Sequence, residues 1–131
     1  MPPMPPLNVR NNNPGNIREV GISWEGKTGS NQGFTTFSSP EMGLRAMAKQ
    51  IYTNENRGKN TIASMVSTWA PPNENPTSSY ISNVATRLGV DPNTPLQFQG
   101  NPNLTAALMQ AIIQQEGGTS SSNYFNDKIF A

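Results

Sequence analysis

The stretch Asn101-Pro-Asn-Leu-Thr-Ala-Ala-Leu-Met-Gln-Ala-Ile-Ile-Gln-Gln-Glu116-Gly-Gly118 decides the fold, because it combines a helical pattern with defined ends. Asn-Pro suits the first turn of a helix, and Gly-Gly suits its end. One apolar face runs along the stretch and is formed by Leu104, Leu108, Ala111 and Ile112. We therefore predict a helix that begins near Asn101-Pro102 and ends at Gly117-Gly118, with Glu116 as its last residue.

The middle of the chain predicts three further amphipathic helices. One begins at Ser38-Ser39-Pro40-Glu41, where a serine can cap the first turn. A second ends at Pro71-Pro72, and a third runs from Asn75-Pro76 to Gly89. We also expect one or two helical turns near the C-terminus, Glu41 as a helix-cap residue and Glu55 as a loop acid.

Residues 8–37 predict a small β region in front of these helices. The turn signal Asn13-Pro14-Gly15-Asn16 is followed by apolar residues between glycines, a pattern typical of two or three short strands. Because every amphipathic helix needs a partner surface, the expected class is α+β, mostly α. We expect residues 1–9 to form an extended Pro-rich arm and residues 10–131 to form a single domain.

The composition excludes several function classes. The chain has no cysteine and no histidine, which removes disulfides, thiol nucleophiles, Ser/His mechanisms and the usual zinc sites. Its net charge is +1 without a basic run, so a nucleic-acid partner is not expected. No apolar stretch approaches the length of a membrane span. We expect no cofactor and no metal, and only eight carboxylates remain as acid/base candidates.

Glu116 is the leading candidate for acid/base chemistry. At the end of an apolar, neutral helix, a carboxyl lies near the partial negative charge of the helix C-terminus, which disfavours its ionisation. Apolar neighbours would raise its pKa further. An acid that is still protonated near neutral pH is what cleavage of a glycosidic bond needs, because the leaving oxygen must receive a proton. The alternative is a surface glutamate at an ordinary helix end.

Several segments together resemble one enzyme superfamily. The Gln110–Gly118 segment resembles the catalytic helix end of lysozymes and lytic transglycosylases. Five further segments resemble the hairpin and helices of phage virion-associated muramidase and lytic transglycosylase domains. These segments are Asn12–Ile17, Trp24–Lys27, Phe34–Phe37, Ser39–Gly43 and Trp69–Tyr80. The resemblance covers about residues 10–118. It implies a lysozyme-like fold, and the late position of the catalytic helix implies a circular permutation.

The resemblance also implies how further residues take part. Glu25 and Glu74 are possible second carboxylates. The alternatives are that Glu25 is a solvated turn residue and that Glu74 caps the third helix. The expected substrate-binding residues are Asn12, Asn13, Gly15, Asn16, Trp24, Asn75, Thr77 and Tyr80. The asparagine run could instead serve the local turn, because Asn readily bonds its own backbone.

The expected function is cleavage of the β-1,4 bond between N-acetylmuramic acid and N-acetylglucosamine in peptidoglycan glycan strands. The enzyme would be a lytic transglycosylase or a muramidase. The alternative is a non-catalytic glycan-binding or virion structural module. Without a recognisable signal peptide, we expect a monomer or part of a phage virion, present in the virion or the host cytoplasm before delivery and acting in the periplasm or cell wall.

Overall fold

The computed structural model describes residues 4–70 and 77–129. The elements in chain order are α1 (Leu7–Arg10), β1 (Lys27–Asn31), β2 (Phe34–Phe37), α2 (Pro40–Asn56), α3 (Ile62–Trp69), α4 (Thr77–Leu88), α5 (Pro102–Phe125) and a final 3-10 turn (Asn126–Lys128). The fold is thus mostly helical with one small antiparallel hairpin near the N-terminus. This confirms the predicted class, α+β and mostly α.

The chain divides into two compact units. Within the described residues, the first contains residues 4–48 and 112–129, and the second contains residues 49–70 and 77–111. The first unit therefore combines the N-terminal loops and hairpin with the first half of α2 and the last part of α5. In this unit the buried apolar side chains are Ile17, Phe37, Leu44, Ala46, Met47, Ile112, Ile113 and Phe125.

The hairpin of the first unit has a tight turn at its tip. Strands β1 and β2 pair antiparallel, and Gln32 and Gly33 connect them with φ angles of 53° and 85°. Two positive φ values are the signature of the two-residue turn that matches strand twist. The helix α2 follows at once, and its N-terminal cap is the Ser39 hydroxyl, which accepts the backbone N–H of Met42 at 3.2 Å. The predicted serine cap is confirmed.

In the described part of the second unit, all secondary-structure elements are helices. Helix α3 begins with a capping box in which Thr61 and Ser64 satisfy each other's backbone donors. Helices α3 and α4 pack together, and the buried side chains include Ile62, Met65 and Val84. The predicted end of the third helix at Gly89 agrees with α4, which ends at Leu88.

The prediction for the N-terminal arm differs from the structure. Leu7–Arg10 form a helical turn in which Asn8 is buried, so the expected extended arm does not continue through residue 9. The reason is tertiary, because the Asn8 side chain is bonded to Pro14 and Ser121. The prediction of two or three short strands agrees with the two strands β1 and β2, and the chain between residues 17 and 24 adds an isolated bridge from Arg18 to Phe34. Among the described residues, no helix is long and apolar enough to cross a membrane.

Candidate active site

Glu116 lies in α5, immediately before the backbone leaves the helical conformation. Gly118 has φ 75° and ψ −164°, a conformation that is accessible almost only to glycine. Helical hydrogen bonding then resumes as far as Phe125. The predicted end of the apolar helix at Gly117-Gly118 therefore corresponds to a sharp break in α5. The Glu116 side chain at this break is partly buried.

The Glu116 carboxyl is hydrogen-bonded to the asparagine-rich loop of the same unit. The side-chain amide nitrogen of Asn16 donates to Glu116 Oε1 at 2.9 Å, across 100 positions of sequence. Asn16 itself adopts φ 49°, a left-handed conformation that asparagine tolerates better than most residues. The fold thus brings together the leading acid candidate and one of the predicted binding residues.

Residue 117, which follows Glu116, is a glycine because Ser121 and Asn8 pack closely against its backbone. A Cβ atom at Gly117 would lie 1.9 Å from Ser121 Oγ and 2.4 Å from Asn8 Oδ1. These two atoms are themselves joined, because Ser121 Oγ donates to Asn8 Oδ1 at 2.6 Å. Ser121 and Asn8 are both fully buried. The sequence pattern did not single out either residue, since the bond joins positions 113 apart and neither residue belongs to a recognisable motif.

The neighbouring asparagine, Asn13, holds the loop in shape. Its side chain has no exposed surface, and its amide nitrogen donates to the carbonyls of Ile17 at 2.9 Å and Thr35 at 2.8 Å. Its Oδ1 accepts the backbone N–H of Ile17 at 2.9 Å. The backbone N–H of Asn16 also bonds to the carbonyl of Asn13, which closes the predicted turn. Asn13 therefore supports the loop from inside.

Two other predicted binding residues of this loop also have structural contacts. The Asn12 amide donates to the carbonyl of Phe37 at 3.1 Å and ties the loop to the end of β2. Gly15 is buried. Gly43 of α2 lies against the same loop so closely that a Cβ atom there would be 1.8 Å from the carbonyl oxygen of Asn12. In this loop, the amide of Asn16 is bonded to Glu116, while those of Asn12 and Asn13 are bonded to backbone.

Trp24 and Glu25 precede the hairpin of the first unit. Trp24 is half-buried and lines a shallow depression of about 430 Å³ together with Lys27, Thr28 and Gly29. Glu25 is exposed, and its carboxylate lies 3.0 Å from the guanidinium of Arg45. The possible second carboxylate is thus engaged in a surface ion pair.

The remaining predicted residues belong to the second unit or lie outside the described residues. Tyr80 is buried in α4, with 4% of its surface exposed. The Thr77 hydroxyl donates to the carbonyl of Ala70 at 3.3 Å. Glu74 and Asn75 lie outside the described residues. Their predicted roles, like those of Thr77 and Tyr80, remain predictions.

Two further carboxylates are held by hydrogen bonds at the periphery. A hydrogen bond from the Lys27 side chain lowers the pKa of Glu19, which also forms an ion pair with Lys27. Burial raises the pKa of Glu55, but hydrogen bonds from the backbone and side chain of Gln99 and the backbone of Phe98 outweigh it, so this pKa lies below its ordinary value. Glu55 lies within α2, so its prediction as a loop acid is wrong. It anchors a segment 43 residues away.

We expect Glu55→Gln to destabilise the protein by about 1.5–3 kcal/mol at pH 7, the usual contribution of hydrogen bonds to a charged group. Glu55 receives the N–H of buried Phe98 at 2.6 Å and that of Gln99 at 3.1 Å, and a neutral amide has only one acceptor oxygen for them. Because the folded-state pKa is lowered, the stabilisation is present above the unfolded pKa of about 4.5 and is lost as the pH falls through the folded value. The wild-type and variant stabilities should therefore converge in acid.

Urea unfolding at pH 7 and at several values below 4.5 measures this difference. Glu41→Gln is the matched control, since it neutralises an exposed acid in the first turn of the same helix. A difference between Glu55→Gln and wild type that stays constant down to the acid limit would contradict the anchoring role.

No metal centre is apparent in residues 4–70 and 77–129. These residues contain no group of three or more acidic side chains close enough to hold an ion. The candidate site contains the Glu116 carboxyl and the Asn16 amide that donates to it. The carboxyl is the group that can donate and accept a proton there.

Comparison with known proteins gives one family relationship. No protein-family model matches the chain. The chain is 34% identical over 122 residues to Protein P5 of Pseudoalteromonas phage PM2, a match that covers 88% of this chain and 74% of that protein. This relative associates the chain with bacteriophages. The chain therefore belongs to the family of Protein P5 of phage PM2.

Proposed function

We propose that this protein cleaves the glycan strands of bacterial peptidoglycan, with Glu116 as general acid and then general base. The observation that carries the proposal is the position of Glu116: partly buried, before the break in α5, and hydrogen-bonded to Asn16 at 2.9 Å. A carboxyl held in this way has a defined orientation toward a substrate. The resemblance of the flanking segments to lysozymes and lytic transglycosylases supports the same assignment.

In the proposed first step, Glu116 protonates the oxygen that bridges N-acetylmuramic acid and N-acetylglucosamine. The bond between that oxygen and C1 of the muramyl ring breaks, and positive charge develops on the ring as an oxocarbenium-like state. Glu116 is then a carboxylate. The donor N–H of Asn16 favours this charged form at that moment, because hydrogen bonds to ionised groups are stronger than those to neutral ones.

In the second step, the carboxylate takes the proton from the muramyl 6-hydroxyl as its oxygen bonds to C1. The product is a 1,6-anhydromuramyl end, and no water is consumed. We favour this lytic transglycosylase route because Glu25, a candidate for activating water, forms an ion pair with Arg45 at the surface. Hydrolysis assisted by Glu25 or Glu74 would instead give a reducing muramyl end.

The expected products distinguish these routes. Purified peptidoglycan incubated with the wild-type protein should release fragments whose mass is lower by one water than that of the corresponding reducing muropeptides. Mass spectrometry before and after borohydride reduction measures this, because only reducing ends gain two hydrogens. Reducing ends would overturn the lyase route but leave Glu116 as the acid.

A non-catalytic module is the competing proposal, and the phage relative is compatible with it. A protein that binds sedimented peptidoglycan but releases no fragments would support a glycan-binding module. If it neither binds nor cleaves, a structural role in the phage particle becomes the better explanation. We place the protein in the virion or at the host wall during phage delivery as part of this proposal.

A further inference from the structure

We propose that Asn16 is a positioning residue, whose amide holds Oε1 of Glu116 as an acceptor so that Oε2 carries the transferable proton. The part of this inference that concerns catalysis rests on the proposed function. The pairing itself rests on the geometry of the first unit. It gives Asn16 a different role from the substrate contact that the sequence predicts.

The chemistry of the amide determines which oxygen is protonated. An amide nitrogen carries only donor hydrogens, and Asn16 Nδ2 lies 2.9 Å from Oε1. If Oε1 carried a proton pointing at the amide, two hydrogens would face each other along this short distance. A carbonyl oxygen is also a stronger acceptor than a hydroxyl oxygen, so the amide favours Oε1 as the carbonyl oxygen of the neutral acid and as the acceptor in both protonation states. The proton of the neutral acid is left on Oε2.

Asn16 is held firmly enough to impose this arrangement. Its backbone N–H is bonded to the carbonyl of Asn13 at 3.0 Å, and its φ of 49° is fixed by that turn. Its Oδ1 is buried and accepts no hydrogen bond from the described part of the chain. With the described residues, the Asn16 side chain therefore makes one hydrogen bond, the one to Glu116.

Gln32 provides a matched comparison within the same unit. It also has a positive φ, 53°, and its side chain is exposed at the tip of the hairpin. Substitution of either residue by glycine keeps the left-handed backbone accessible and removes only the side chain. A loss confined to Asn16→Gly therefore reports on the Asn16 amide and not on the left-handed backbone.

Kinetics on soluble, uncross-linked glycan strands form the first test. We expect Asn16→Gly to lower kcat by roughly 10- to 100-fold, the size of effect produced by a misplaced catalytic group, with KM changed less than about 3-fold. Gln32→Gly should retain kcat within about 3-fold. In the Glu116→Gln background, Asn16→Gly should cause no further loss, because a residue that acts through Glu116 has nothing left to position. A substrate contact would instead raise KM and give an additive loss.

NMR of the labelled protein tests the pairing without any activity. The side-chain amide resonances of Asn16 should shift in Glu116→Ala, which removes the acceptor, and those of Asn12, whose amide is bonded to Phe37, should not. Unchanged Asn16 resonances would overturn the pairing, and equal kcat in Asn16→Gly and wild type would overturn the positioning role. A wild-type protein that cleaves nothing, with Asn16 resonances that respond to Glu116→Ala, would overturn the proposed function and leave the pairing supported.

Discussion

The Glu116→Gln variant is expected to solubilise purified peptidoglycan at least ~100-fold more slowly than wild type, the low end of general acid contributions. Glutamine has the shape of glutamic acid, and its amide oxygen can still accept the N–H of Asn16 at the position of Oε1. It has no proton to give to a leaving oxygen. The variant should therefore lose the chemistry and keep the fold.

Release of soluble fragments over time measures this loss, with thermal unfolding as the check on the fold. Glu41→Gln is the control, because it removes the same charge from an exposed position in α2. We expect it to lyse as fast as wild type. If Glu116→Gln also lyses at the wild-type rate, Glu116 is not the catalyst, and the proposed mechanism is wrong.

The second large effect is expected at Gly43, where alanine should destabilise the protein by about 3 kcal/mol, the upper part of the usual range for overpacking. A Cβ atom there would meet the carbonyl oxygen of Asn12 at 1.8 Å and the Pro14 ring at 2.8 Å. Neither is the end of a flexible side chain, so the loop or the helix must move. Helix propensity acts in the opposite direction, since alanine is favoured over glycine inside a helix by about 1 kcal/mol.

The sign of the stability change in Gly43→Ala therefore shows whether close packing or helix propensity dominates at this position. We expect the melting temperature of Gly43→Ala to fall by roughly 10 °C, taking about 4 °C per kcal/mol for a chain of this size. Lys49→Ala, at an exposed position of α2, should shift it by no more than about 2 °C. A more stable Gly43→Ala protein would show that the loop does not depend on this close approach.

The helices could be predicted from the sequence because their determinants are local. Apolar periodicity, the Ser39 cap and the break after Glu116 all lie within the segments that they define. Helix α1 could not be predicted, since only four residues form it and its buried Asn8 depends on Ser121, 113 positions away. A short helix has little intrinsic stability and is determined by tertiary contacts.

The candidate site was predictable in its residue types but not in its pairings. The pattern indicated Glu116 and an asparagine-rich turn. It could not distinguish Asn13, whose amide is bonded to backbone carbonyls, from Asn16, whose amide is bonded to the acid. Both are asparagines in the same turn, and the difference arises from which long-range partner each side chain meets. The anchoring role of Glu55 was missed for the same reason.

The first unit is built from two segments that are far apart in the chain, and this affects when it can form during synthesis. Residues 112–129 leave the ribosome after the whole of the second unit. About 100 further residues must therefore be synthesised after Asn16 before its partner Glu116 is present. Contacts of such high sequence separation form late and slowly. A nascent chain that ends before residue 116 has no Glu116, so the proposed activity arises only when translation has passed residue 116.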